Sequence, residues 1–321
     1  MKRNWMALLL AGCMLAAVLL TGCSPARSTQ KLRLGAAGEG GVYHEFGVAY
    51  AALENDGAEN TVELRTTAGS AASLRLMMGE YLQLAIAQDD LAQDAYHQTG
   101  IFAEEEADRG FGAVAALYTE ACQVIVREDS GIDSVEQLQG RTVSIGAEES
   151  GSEQNAQQIL AAYGLNDRLV NTVNLNYDDA AAQLKAGKID AMIITSGAAS
   201  PVVTELAQEL GIRLLDVDGA AAQRLMDTYS AYSAYTIPAG TYPGQTGEVH
   251  TVGGKAVLLA SDAVPEDTVK ELTALLFAHR EELSEKLGIE LDPEENAVEG
   301  VGIPFHKGAA AYYKTAGITV E

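Results

Sequence analysis

Apolar and polar positions along the chain fall into two alternating series. Lys31 to Ala36 (KLRLGA) alternates with the period of two expected of a strand, and Gly38-Glu39-Gly40-Gly41 turns the chain into a helical pattern from about Val42 to Glu54. Val62 to Thr66 repeats the strand pattern, the turn Ala68-Gly69-Ser70 opens a helix to about Gly79, and Leu84 to Ala87 reads as a short buried strand ending at Gln88-Asp89. Strands separated by helices of this length predict parallel sheets with helices on their faces. Between Gly112 and Val126 the pattern changes, because two β-prone runs are separated only by Thr119-Glu120-Ala121. This reads as one long strand, or two collinear ones, passing from a first domain to a second. A second α/β series follows, with strands over 142–146, 170–175, 189–195 and 213–217 and helices over 152–163 and 178–186. Val249 to Ala260 reads as a return strand, and Gly253-Gly254 in its middle predicts a bend or bulge. A helix led by Pro265 and stopped by Gly288 comes next. The segments 124–138 and 257–272 both run strand, acidic turn, helix, a faint internal echo. The expected fold is therefore α/β with two lobes and a cleft: 31–118 with 249–321 form the first lobe, 119–248 the second, and paired crossover strands join them.

The first residues follow another pattern. Lys2 and Arg3 precede the uncharged stretch from Trp5 to Leu20, too short to span a bilayer but of the length of a secretory signal. It ends in Leu20-Thr21-Gly22-Cys23, which resembles the lipobox of bacterial lipoproteins. The resemblance implies a signal peptide over 1–22, lipid on Cys23, a polar tether over 23–30 and an extracytoplasmic protein held at the membrane. No later segment is apolar for long enough to span.

Composition narrows the partners. The 321 residues carry 21 Lys+Arg against 45 Asp+Glu, a formal charge of −24, so the basic surface that nucleic acid requires is missing. An apolar fraction of 47% with 21% charged residues excludes disorder as the main state. With Cys13 in the signal and Cys23 lipidated, Cys122 is left without a disulfide partner. Its apolar run makes it a buried, inert thiol.

Three glycine- or serine-rich turns follow strands and open helices: 38–42, 67–70 and 150–153. In an open parallel sheet such turns collect beyond the carboxyl ends of the strands, where ligands bind, and a helix N-terminus attracts anions through its unpaired amides. Ser150 and Glu153 have capping-box spacing, which accounts for that turn by itself; Ser152 supplies a hydroxyl to a ligand in the other reading. Together the turns point to a small anionic solute. Enzyme motifs are incomplete. Tyr43 stands where a dinucleotide fingerprint needs its third Gly, Val48 where a zinc-protease motif needs its second His, and there is no Gly-x-Ser-x-Gly elbow. The five His residues show no metal-ligand spacing, and His306 reads as structural or cleft-edge. No enzyme activity, metal or cofactor is expected.

Gly40-Gly41-Val42-Tyr43, Thr67-Ala68-Gly69-Ser70, Gln88-Asp89, Leu117-Tyr118-Thr119-Glu120 and Gly146 with Ser150-Gly151-Ser152-Glu153 occur in that order. Ile189-Asp190-Ala191, Ser196-Gly197, Gly240-Thr241-Tyr242 and the ending from Ile303 to Tyr313 continue the series. The ordered set resembles the TAXI family, solute-binding subunits of tripartite ATP-independent periplasmic (TRAP) transporters. The resemblance implies a type II periplasmic-binding-protein fold, hinge closure on a small carboxylate or acidic amino acid such as glutamate or 2-oxoglutarate, and delivery to a membrane permease by a monomer that is not an enzyme. It places Gly41, Tyr43, Gly69, Ser70, Gln88, Asp89, Tyr118, Ser150, Gly151, Ser152 and Gly197 at the ligand. Backbone amides with Ser70, Ser150 and Ser152 would hold a carboxylate, Tyr43 and Tyr118 would pack on the carbon chain, and Gln88 or Asp89 would address the far end. Ser73 stands where the family often has Asn, and the loop after Gly197 is one residue longer than the family pattern. A binding protein of an ATP-driven importer and a ligand sensor for a membrane receptor are the competing assignments.

Overall fold

The computed structural model describes residues 31–55, 61–105 and 110–320. The signal peptide, Cys23 and the tether lie outside them. The order of elements is β1 (Lys31–Ala36), α1 (Val42–Asn55), β2 (Thr61–Thr66), α2 (Ser70–Met78), β3 (Leu84–Gln88), α3 (Asp89–His97) and the long β4 (Phe111–Arg127). There follow β5 (Thr142–Ser144), α4 (Gly151–Ala162), β6 (Asn171–Val173), α5 (Tyr177–Lys185), β7 (Ala191–Ser196), α6 (Pro201–Glu209), β8 (Ile212–Leu215), α7 (Gly219–Thr228) and β9 (Ser233–Ile237). The chain closes with β10 (Val249–Ser261), α8 (Glu266–Ala278), α9 (Arg280–Leu287) and α10 (Lys307–Thr315).

The strands run in the order β2-β1-β3-β10-β4-β7-β5-β6, with β8 on β4 and β9 on β10. β2, β1 and β3 are parallel, and so are β6, β5 and β7. Each parallel set meets one antiparallel strand: β10 beside β3, and the second half of β4 between β7 and β8. β4 and β10 also pair with each other, from Phe111 opposite Ser261 to Ala121 opposite Gly253. The long strand read across 112–126 is thus continuous, and a return strand is paired to it.

Alternation decides which way each side chain packs. In β3, Leu84 and Ile86 join one apolar cluster with α1, α8 and α9, whereas Ala85 and Ala87 join another with α2 and α3. In β7, Ala191 and Ile193 face the cluster under α4, and Met192 and Ile194 the one under α5 and α6. β4 serves the same two clusters through Val124 and Val126 on one face and Ile125 on the other. Both faces of the sheet are covered, which explains why these strands read as unbroken apolar runs.

Several details differ from the sequence reading. Gly253-Gly254 is not a bulge. The register slips lie at Ala256/Val257 and Leu258/Leu259 and place the extra residues, Leu117 and Val114, in β4. Gly253 instead allows a close approach, since a Cβ there would stand 2.4 Å from the Glu120 carbonyl oxygen. The helix expected from Pro265 to Gly288 is two helices, which change direction at His279 (φ −114°, ψ 15°), so that Leu272 and Leu276 of one and Leu283 and Leu287 of the other enter the same cluster. The first copy of the internal echo ends in a 3-10 turn, Val135–Leu138, rather than an α-helix. The helices α3, α6, α7 and α10 and the edge strand β9 were not anticipated. α3 starts at the residue after β3 with no Gly or Pro turn to announce it.

Gly253→Ala is expected to force the two crossover strands apart and to lower the unfolding free energy by about 1–3 kcal/mol. Gly247→Ala, in open space, should change it by less than about 0.5 kcal/mol; urea unfolding of the two variants measures the contrast.

Candidate functional site

A cavity of about 100 Å³ lies where the carboxyl ends of two sets of three parallel strands converge. Its walls are the turns after β1 (37–43), β2 (67–70), β5 (147 and 150–152) and β6 (176 and 177), with Gln88 ending β3, Thr195 and Ser196 ending β7, and Glu120 from β4. This is where an open α/β sheet leaves room for a ligand. At roughly 10–15 Å³ per water-sized group, the space suits a small metabolite.

Four helices begin at the wall: α1 at Val42, α2 at Ser70, α4 at Gly151 and α5 at Tyr177. The first-turn amides of a helix have no partner within it and carry partial positive charge. The α2 and α4 ends touch across the cavity mouth. Ala72 N–H donates to the Glu149 carbonyl at 3.2 Å, and the Arg75 guanidinium lies 3.3 Å from the Glu149 carboxylate. Gly69 makes this possible: its φ is +146°, and a Cβ would fall 2.8 Å from the Ser150 Cα. No Lys, Arg or His is among the described residues that line the cavity; its charged groups are Glu39 and Glu120.

The hydroxyls divide by what they already hold. Ser150 Oγ caps α4 by accepting from Glu153 N–H at 3.1 Å and keeps its own proton to donate; Ser70 Oγ accepts from Gln88 N–H at 3.1 Å and turns its proton toward the Tyr43 oxygen. The Glu153 carboxylate returns to Glu149 N–H (2.8 Å), one residue before the position that a capping box predicts. Ser152 is committed on both sides. Its Oγ accepts from Thr195 N–H at 2.9 Å and lies 2.6 Å from the Tyr177 hydroxyl. Tyr177 gives its only proton to the Thr195 carbonyl at 2.8 Å, which leaves Ser152 as the donor between them. The Ser152 hydroxyl therefore ties α4 to α5 and β7, and has no proton left for a ligand.

Glu120 is the group that sequence reasoning passed over. It is buried, and the Tyr43 hydroxyl donates to its Oε2 at 2.6 Å. Burial is the main cause that pushes its carboxyl up to about 8, with the Asp90 charge adding to it and the Tyr43 and Gln88 hydrogen bonds opposing. Burial likewise raises Asp90 to about 6. The only signal in the sequence was an acid inside a long apolar run. Tyr177 and Asn176 lie just before the helix expected over 178–186 and are its actual start: Asn176 Oδ1 accepts from Asp179 N–H at 2.8 Å.

Gly41, Tyr43, Gly69, Ser70, Gln88, Ser150, Gly151 and Ser152 all border this one cavity. The other three candidates do not. Asp89 turns away and holds Gly302 N–H (2.9 Å) and the Gln93 amide (2.6 Å), bordering only a one-water space of about 10 Å³ behind Gln88. Tyr118 and Gly197 border a separate, open cavity with Ile289 to Pro293. Cys122 is buried beside Thr195 and its thiol is pushed up to about 12 by burial, as an inert thiol requires. His306 is structural: its Nδ1 accepts from Gly308 N–H and caps α10.

Ser152→Ala leaves the Thr195 amide buried and unpaired and is expected to cost about 1–3 kcal/mol of stability, measured by chemical unfolding, with circular dichroism confirming the fold. In the unfolded chain Glu120 would lose its proton near 4.5, whereas folded it keeps it to about 8. The native state thus binds more protons between these values, and the contribution of Glu120 to stability falls as pH rises through the window. Glu54, raised to about 7 by burial, acts in the same direction. Melting temperatures from pH 5 to 8.5 should decline less in Glu120→Gln than in the native chain.

Solved structures share this architecture at low identity. The periplasmic binding protein BugD gives a TM-score of 0.55 at 14% identity, over 91% of this chain and 99% of that one. A putative L-cystine ABC transporter protein from Listeria monocytogenes gives 0.52 at 14% identity, over 81% and 96%. The alkanesulfonate-binding protein SsuA from Xanthomonas axonopodis pv. citri, bound to MOPS, gives 0.50 at 18% identity, over 91% and 93%. These likenesses speak for the fold, the two-lobed type II architecture of periplasmic binding proteins that the resemblance implied. The model of the NMT1-like family matches residues 34–317, nearly the whole described chain, and the protein belongs to that family.

Proposed function

We propose that this protein is an extracytoplasmic solute-binding lipoprotein of the TAXI kind, anchored through Cys23. It captures a small carboxylate or acidic amino acid between lobes made of 31–118 with 249–321 and of 119–248, and delivers it to a TRAP permease. The observation that carries the reading is the meeting of the α2 and α4 N-termini, one from each lobe, at the cavity wall. Amides of Ser70, Ala71, Gly151 and Ser152, with the hydroxyl proton of Ser150, would hold an anionic group there without a cationic side chain. Gly41 and Tyr43 complete the wall, and Gln88 lies on the floor. The serines that border the cavity have no histidine among its lining residues to act as a base, which favours binding over turnover. Tyr118, Asp89 and Gly197 would act from outside the cavity. A binding protein of an ATP-driven importer is the alternative, supported by the same fold in the Listeria protein. Uptake that persists without ATP but stops when the ion gradient collapses would decide for TRAP.

A thermal-shift screen of carboxylates and amino acids tests the binding reading, because a ligand of the native state raises its melting temperature. A screen in which none of them stabilises the protein overturns it. With any solute found, Gly69→Ala should weaken binding at least about tenfold in titration calorimetry. The added methyl group holds the Ser150 turn away, and the positive φ disfavours any side chain. Affinity equal to the native protein's would remove the α2–α4 contact from the mechanism.

A further inference from the structure

We propose that the solute carries an ammonium group as well as its anionic group, and that Glu120 is the residue that selects it, giving up a proton as the ligand binds. The proposal rests on the binding reading above and concerns the part of the cavity wall formed by Glu120.

Glu120 borders both the main cavity and the small one behind Gln88. Its surroundings are acidic or neutral on every side. Tyr43 from α1 donates to it, Tyr118 and Cys122 flank it on β4, Tyr177 approaches from α5, and Asp90 from α3 lies beyond Gln88. Lys255 of β10 is the one cation that borders the small cavity, and its ammonium is held by Asp292 at 2.6 Å. Three buried polar atoms in this region have no partner: the acceptors Gln88 Oε1 and Asn155 Oδ1, and the Tyr118 hydroxyl, which can accept or donate. Asn155 spends its amide protons on Tyr232 (2.6 Å) and Asp90 (3.3 Å). Around Glu120 the unpaired acceptors thus outnumber the unpaired donors, and no free cation stands among the described residues there. A buried acceptor left unpaired is costly, and an ammonium group brings three donors and the charge that an ionised carboxylate needs.

With the cavity empty, burial favours the protonated form of Glu120. An incoming ammonium favours the ionised form, so the carboxyl proton leaves to solvent and the ligand keeps its own three. A ligand with a second carboxylate at this wall would require the opposite, a Glu120 that keeps its proton and donates it. The two cases give opposite pH dependences. Ammonium ligands bind more tightly as pH rises toward 8.5, while the α-ammonium itself is still protonated; dicarboxylates bind less tightly.

The test uses matched pairs that differ only in the amine: L-glutamate with glutarate, L-aspartate with succinate, L-leucine with 4-methylpentanoate and L-phenylalanine with 3-phenylpropanoate. Binding is followed by thermal shift and titration calorimetry at pH 6.5 and 8.5. In at least one pair the amino acid is expected to bind about tenfold or more tightly than its deamino partner. Its affinity should rise with pH, with proton release seen in buffers of different ionisation enthalpy. Glu120→Gln should remove the preference and the proton release together. A deamino acid that binds as tightly as its amino acid, or an affinity that falls as pH rises, overturns the role of Glu120 and leaves the binding reading standing. If no member of any pair binds, both fall.

Discussion

The pairing of β4 with β10 sets the position of everything else around the cavity. β4 is 17 residues long; its first part enters two apolar clusters, one on each face of the sheet, and its second part enters two others. β10 returns antiparallel beside it, and the two parallel strand sets are built outward from this pair. Register along such a ladder is fixed to the residue, because a slip by one would turn every apolar side chain to the wrong face. Glu120 therefore reaches the cavity by virtue of its place on the ladder, opposite Gly254, with Gly253 removing the side chain that would hold the backbones apart.

That geometry produces a site with two unlike sides. On one, helix amides and the Ser150 proton offer donors with no formal charge. On the other, Glu120 and Gln88 offer acceptors, with Asn155 bordering only the small cavity. Amides that are fixed by helices cost nothing further to order when a ligand arrives, whereas a flexible Arg or Lys would lose rotamer freedom. Tyr43 bridges the two sides, since its ring belongs to the α1 wall and its hydroxyl to Glu120. The serines that look alike in the sequence have unlike duties. Ser70 and Ser150 each hold one backbone amide, but only Ser150 keeps a proton, since that of Ser70 is turned to Tyr43; the Ser152 hydroxyl joins three elements and has none to spare.

Much of the fold was legible because periodicity is local. KLRLGA and LAIA declare their strands, Ser150 declares its helix cap, and the β-prone runs within 112–126 declare a crossover before any partner is known. α6 was marked by Ser200-Pro201 and still went unread; most of the rest that escaped lacked local marks. α3 follows β3 without a turn residue, β9 is a half-exposed edge, and the change of direction at His279 carries neither Gly nor Pro. There, burial of two leucine stripes in one core decided the break.

Sequence by itself determined the α/β class, most of the strands, the helices that follow the three glycine- or serine-rich turns, and those turns themselves. Those are consequences of hydrophobic period, capping residues and glycine placement, each readable within a few residues. Only the tertiary structure decided that Asp89 holds Gly302 rather than bordering the main cavity, that Tyr118 and Gly197 border another one, and that Glu120 is the carboxyl at its floor. A side chain's direction at the end of a strand depends on register and on the elements packed above it, and neither is written in the neighbouring residues.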